Sequence, residues 1–235
     1  MGLSLFHCRS AALSAPSVVF YGASGYANAI ADAIEFINPV PLATVVSYID
    51  DFRGDEGLAI ADAPVISFAT WRETLVDVPV FVTVGDPDQR KELVGRVSRA
   101  GGRLSPSFLA AARVANDVVY GKGGIYVCSS IGPNCVVGDH VHILSLAAVG
   151  EGCTIGDFTT FCPSSTVWGK VVIEAGVFIG VGARVVNESD DVMTIGTGAY
   201  IGAGAVVTRS VLPGERLAGN PATDFRTLAQ RRVQP

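Results

Sequence analysis

The chain has 235 residues, 49% hydrophobic and 17% charged, enough apolar material for one large core or two small ones. Its formal net charge is −5 and it has no run of Lys or Arg, so neither nucleic acid nor an anionic membrane is expected as a partner. No apolar stretch reaches the ~20 residues that span a bilayer, and five cysteines scattered in apolar contexts point to a reducing, cytoplasmic setting.

The opening "MGLSLFHCRSAALSAP" lacks the charged n-region and apolar h-region of a signal peptide, so residues 1–16 are expected to be a frayed tail. From residue 17 the first half alternates strand-like and helix-like segments. "SVVFYGASGYANAIADAIEFI" (17–37) reads as an apolar strand, a glycine turn, then a helix with Ala27, Ile30, Ala31 and Ile34 on one face. "ATVVSYIDD" (43–51) is a second strand that ends in two aspartates. "VPVFVTVGD" (78–86) is another, followed by a helix from Pro87 to Ala100. Continuous apolar strands alternating with helices imply a small parallel α/β sheet, bounded here as 17–107.

The second half has a different rhythm. From Ile125 a large apolar residue recurs every sixth position: Ile131, Val137, Ile143, Val149, Ile155, Phe161, Val167, Ile173, Ile179 and Val185. A small residue or Val stands two positions ahead of each later member, as at Ser129, Cys135, Val141, Ala147 and Cys153. Neither a helix nor a flat strand repeats by six. Three hexapeptides closing one triangular coil of a β-helix do, and residues 108–223 are assigned to it. "VNESDDVMT" (186–194) adds four positions and reads as a loop thrown from the wall, after which the series resumes at Ile195, Ile201 and Val207. Residues 224–235 are left as a C-terminal tail.

A repeat of eighteen per coil stacks Cys135 on Cys153 and Asp139 on Asp157. The cysteines are expected to be small core residues rather than a redox or metal pair. The aspartates read either as turn residues or as an acid/base pair.

"YGASGY" (21–26), "IDDFRG" (49–54), "VTVGDPDQRKEL" (82–93) and "LAGNPAT" (217–223), joined to the hexapeptides, resemble the sugar O- and N-acyltransferases of the sialic acid O-acetyltransferase and UDP-N-acetylbacillosamine N-acetyltransferase type. The likeness covers nearly all of 17–223. It implies an α/β N-terminal Rossmann-like domain that binds a sugar nucleotide, followed by a left-handed parallel β-helix that binds acetyl-CoA or another acyl-CoA. It also implies a homotrimer, with no metal.

The glycine turn can bring backbone N–H groups to an anion, and carboxylates at a strand end can accept from a base or ribose. Without the resemblance, Asp50 and Asp51 read equally as a solvated strand end. With it, Ser24, Gly25, Tyr26, Asp50, Asp51 and Gly85 are the expected substrate contacts, and Val181 and Ala203 the cofactor contacts. The flat coil walls carry outward apolar residues, Val136, Leu146 and Phe178, which favour the trimer.

At the acid/base position the resembling pattern is Val-(Glu/Gly)-His-(Asp/Glu)-Cys. This chain reads Val149-Gly150-Glu151-Gly152-Cys153, so the usual catalytic histidine is absent, and Tyr26 replaces the histidine of the glycine turn. Glu151 is then a base if burial in a cleft raises its carboxyl, an anchor for a cationic amine, or an ordinary turn residue. The Gly169 N–H, one coil on, is the expected oxyanion donor. Of the three histidines, His7 lies in the tail and His140 in a solvated turn. His142 is assigned an outward slot, at the surface or a trimer interface, with catalysis as its alternative. The function implied is acyl transfer from acyl-CoA to an amine of a UDP-linked amino-deoxy sugar for surface glycan synthesis. The alternatives are an unlike acceptor, or a non-catalytic sugar-nucleotide-binding scaffold.

Overall fold

The computed structural model describes residues 15–189, 191–220 and 223–224. Residues 1–14 and 225–235 of the two expected tails, with His7 and the Pro-Ala of "LAGNPAT", lie outside the described residues. An α/β unit comes first: β1 (Ser17–Tyr21), α1 (Gly25–Asp32), β2 (Thr44–Ile49), β3 (Ala59–Ile60), β4 (Ala63–Ile66), α2 (Phe68–Thr74), β5 (Val80–Val82) and α3 (Pro87–Arg99). The sheet order is β3-β4-β2-β1-β5, with β1, β2, β4 and β5 parallel and β3 antiparallel at the edge.

Period-2 alternation along β1 sends Val18 and Phe20 to one face and Val19 and Tyr21 to the other. Ala27, Ile30 and Ile34, at helical spacing, cover the first face. Trp71, Val94 and Val97 cover the second. Asp86 starts α3 by accepting from Gln89 N–H at 2.9 Å, with Pro87 in the first turn, where its missing N–H is not needed.

The rest of the described chain winds as a left-handed parallel β-helix with three walls of six, five and eight strands. Every large residue of the sixfold series from Ile131 to Val207 is at most 3% exposed, as is the residue two positions ahead of each except Ser129 and Met193, both at 5%. The register steps by eighteen, from Ser130 to Ala148 to Thr166 to Arg184. The next partner of Arg184 is Val206, four residues later than that step, the four positions expected of a loop here. The loop is shorter than 186–194, because Val186 and Met193–Ile195 are strand residues paired in the walls.

The series differs from expectation at its start. A first coil precedes Ile125, with Phe108–Ala110, Arg113–Val114 and Val119–Tyr120 paired to the coil above. Between these two coils the register steps by seventeen, Phe108 to Ile125 and Arg113 to Ser130. The eight-strand wall repeats that step above, from Ile125 to His142, so Ile143 pairs with Tyr126 and Ile125 pairs with His142. A slip of one residue exchanges the faces of a strand. Tyr126 fills the coil interior, whereas Ile125 points out of it into the core of the α/β unit, beside Phe81, Phe108 and Val127.

Candidate active site

The eight-strand wall carries an outward row of Ile125, His142, Thr160, Phe178 and Tyr200. Its lower part is covered by the α/β unit, and this corrects the histidine readings. His142 does point out of the coil, but into protein: it is 0% exposed and lies nearly parallel to Phe81 with centroids 5.6 Å apart. Its Nδ1 is 2.6 Å from the Tyr26 hydroxyl, and its Nε2 has no partner among the described residues. Burial holds the imidazole well below its usual value, and Arg90 and His140 add to the push, so the ring is neutral at physiological pH. His140 sits in a turn, as expected, but is buried and stacked on Phe158 at 5.0 Å rather than solvated.

Arg90 locks the two units together. It is 0% exposed and pairs with no carboxylate among the described residues. Its guanidinium donates to the carbonyls of Val84, Gly85, His140, Phe158 and Thr159 and to Thr160 Oγ1. Burial lowers it to about 10, so it stays a cation, neutralised by converging carbonyl dipoles. Thr160 also donates to the Gly85 carbonyl at 2.7 Å. Tyr26 and Gly85, expected to touch a sugar nucleotide, thus spend these groups on the coil.

A cavity of about 270 Å³ opens beyond β1, β2 and β5, between Gly22, Asp50, Asp51, Phe52 and Arg96. Neither aspartate offers a bare carboxylate there. Asp50 Oδ1 accepts from the N–H groups of Phe52 and Arg53, and its Oδ2 pairs with Arg53 at 2.8 Å. Burial pushes this carboxyl up, but the Arg53 guanidinium and the two N–H groups outweigh it and hold it below its ordinary value. Asp51 accepts from Tyr21 Oη at 2.7 Å and pairs with Arg96, whose guanidinium lies over the Phe68 ring at 4.0 Å. A ligand there meets an ion pair. Ser24 and Gly25 stand exposed at the start of α1 and do not line this cavity.

The larger cleft, about 590 Å³, lies on the six-strand wall between Arg113, Ser130, Pro133, Glu151, Trp168 and Gly169. It brings Glu151 and Gly169 together; His142 does not line it, so no base can act there from that position. Glu151 is exposed and its carboxylate makes no hydrogen bond or ion pair among the described residues. Gly169 has φ +79°, and a Cβ there would lie 2.8 Å from the Asn187 carbonyl, so only glycine fits without strain. Its N–H donates to no backbone carbonyl among the described residues. Cys135 and Cys153 lie beneath as core residues whose thiols are pushed up by burial, Cys153 to about 11. Asp139 and Asp157 are turn residues: Asp157 Oδ1 accepts from Asp139 N–H, and Asp139 Oδ1 from Lys122 N–H. Val181 and Ala203 occupy successive turns at the other edge of the same wall.

Sequence reasoning passed over Arg90 and Trp168. The signal for Arg90 was its place on the apolar stripe of α3 with Val94 and Val97. That for Trp168 was an aromatic residue just ahead of the Gly169 turn.

Residues 17–97 match the PglD N-terminal domain. WeeI from Acinetobacter baumannii AYE superposes with a TM-score of 0.77 at 26% identity, over 88% of this chain and 99% of that one. PerB from Caulobacter crescentus, solved in complex with CoA and GDP-perosamine, superposes with a TM-score of 0.74 at 26% identity, over 91% and 98%. This is the fold of the hexapeptide-repeat sugar N-acetyltransferases. GDP-perosamine N-acetyltransferase of Escherichia coli O157:H7 is 40% identical over 118 residues, 47% of this chain and 53% of that protein. Matches to the curated relatives span between 18% and 53% of those proteins' lengths. The resemblance read from the glycine turn and the hexapeptides holds on these grounds. Among the described residues no helix is long and apolar enough to cross a membrane.

Proposed function

We propose that this chain is an acyl-CoA-dependent N-acyltransferase whose acceptor is an amine on a nucleotide-linked deoxy sugar, acting as a homotrimer. The observation that carries the reading is the single cleft lined by both Glu151 and Gly169 on one coil wall. PerB, which superposes over nearly the whole chain, was solved with CoA and a nucleotide-linked amino sugar bound.

The chemistry follows from those two groups. The acceptor amine attacks the thioester carbonyl carbon; the N–C bond forms and the C–S bond breaks. Charge developing on the carbonyl oxygen is met by the Gly169 N–H. The amine's proton passes to the Glu151 carboxylate and from there to the departing CoA sulfur. The sugar nucleotide is proposed to enter over Ser24, Gly25 and the Asp51–Arg96 pair, and the pantetheine arm to run past Val181 and Ala203. Because no described residue pairs with the Glu151 carboxylate to orient it, a second reading, a binding scaffold without transfer, is the alternative.

Glu151→Gln keeps shape but cannot take a proton. As a base it should be worth about 10²–10⁴-fold in kcat, with acyl-CoA binding unchanged. A loss confined to the acceptor KM would make Glu151 an anchor. A wild type that binds both ligands and transfers nothing would refute the enzyme reading in favour of the scaffold.

A further inference from the structure

The larger cleft has one wall that the proposed acid–base chemistry does not use. Trp168 is 62% exposed, the indole of a residue that ordinarily hides most of its surface. Its ring lies down on the coil below: a Cβ on Gly150 would stand 3.2 Å from both Cδ2 and Cε3. Gly150, immediately before Glu151, is therefore the gap that lets the indole lie along the wall beside the carboxylate. The flat aromatic face, the unpaired Glu151 and the Arg113 side of the cleft border one space.

We propose that Trp168 is the platform on which the acceptor's pyranose ring stacks, and that it selects amino sugars with an apolar ring face. This rests on the acyltransferase reading above. One face of a pyranose carries polarised C–H groups, which sit on the electron-rich face of an indole. A deoxy carbon extends that apolar face. A protonated amine at the ring edge is drawn to the same π face and to Glu151. Position separates this occupant from the other substrate. The ring lies over Gly150, on the Glu151 side of Gly169, whereas the thioester oxygen is directed to the Gly169 N–H. The adenine of CoA lies a full pantetheine arm from the thioester and cannot reach this ring while the thioester sits at Gly169.

The chain holds two tryptophans, and Trp71 is 0% exposed, so quenching by acrylamide reads Trp168. GDP-perosamine and a UDP-linked amino-deoxy hexose should be compared with GDP, UDP and acetyl-CoA. The expected result is that an amino-sugar nucleotide shields Trp168 severalfold, while the nucleoside diphosphates and acetyl-CoA do not. In transfer assays Trp168→Ala should raise the acceptor KM about 5- to 30-fold, with kcat and acetyl-CoA KM little changed, because stacking serves ground and transition states alike. Trp168→Phe should recover most of the loss. Gly150→Ala, which pushes the indole off the wall, should mimic Trp168→Ala without removing the ring. Unchanged acceptor KM in Trp168→Ala, with turnover intact, would overturn the platform and leave the acyltransferase standing. Shielding by acetyl-CoA alone would assign Trp168 to the acyl side and overturn it too. A wild type that neither binds nor acylates any probe would overturn both readings together.

Discussion

Replacing Arg90 by Met should test whether the two units are held by this buried cation. Met fills a similar apolar volume but removes every donor of the guanidinium. Three of the carbonyls it serves, those of Val84, His140 and Phe158, accept from no other described donor. A buried acceptor left unpaired costs about 1–3 kcal/mol, so the gross loss is about 3–9 kcal/mol. Relief from burying a charge offsets part of this, leaving a net loss of about 2–5 kcal/mol. Urea unfolding at fixed protein concentration, followed by far-UV circular dichroism, reads it as a lower midpoint. Arg90→Lys should fall between, since one ammonium cannot span both units with the guanidinium's geometry. A midpoint for Arg90→Met corresponding to less than about 0.5 kcal/mol would refute the reasoning, because the carbonyls would then have found other donors.

Stability should also depend on pH through His142 and His140. Both are held below the ordinary imidazole value by burial, so below about pH 6.5 the unfolded chain binds protons that the folded chain refuses. Stability should be fully present above that pH and fall as pH drops below it, with His142, the ring held furthest below its ordinary value, contributing most of the slope; His142→Phe should flatten the slope in denaturation curves taken between pH 5 and 7. Tyr26→Phe strips His142 Nδ1 of its partner and should lower the unfolding midpoint by about 1–3 kcal/mol equivalent, measured in the same assay. Val136 and Leu146 are 50% and 72% exposed, and the proposed trimer would cover them; sedimentation should give a trimer at micromolar concentration, and a monomer there would count against it.

The coil was legible because an inward slot tolerates one class of residue, and the class repeats. From Ile131 to Val207 each predicted inward residue is buried. Ile125 was misassigned because the period carries no mark of a register step: Ile125 and Tyr126 are both apolar, and only their neighbours show which faces in. His142 was misjudged for a related reason. A hexapeptide pattern says which residues leave the coil and nothing about what lies outside it, and here α1, β5 and α3 do. At the candidate site, Glu151 and Gly169 were reachable because eighteen residues separate them in the repeat. Asp50 and Asp51 were expected as substrate contacts or a solvated strand end, and their ion pairs with Arg53 and Arg96 were not legible, because those partners are assigned only by tertiary packing.

The one-residue slip at the base of the coil bears on how such proteins can be recombined. From Ser130 upward the solenoid keeps one phase, so a turn could be cut out or inserted with each wall still meeting its own kind. Below that point the eight-strand wall steps by seventeen twice, from Phe108 to Ile125 and from Ile125 to His142, and these two offsets keep Phe108 and Ile125 in line with His142 on the face toward the α/β unit. A chimera spliced near residue 107 would inherit a foreign phase and turn the joining row inward. A splice in the turn at residues 132–134 would carry the docking row's first member with its own sheet. The transferable module is therefore the α/β sheet together with the first coil, and its border lies in the solenoid rather than at the change of architecture.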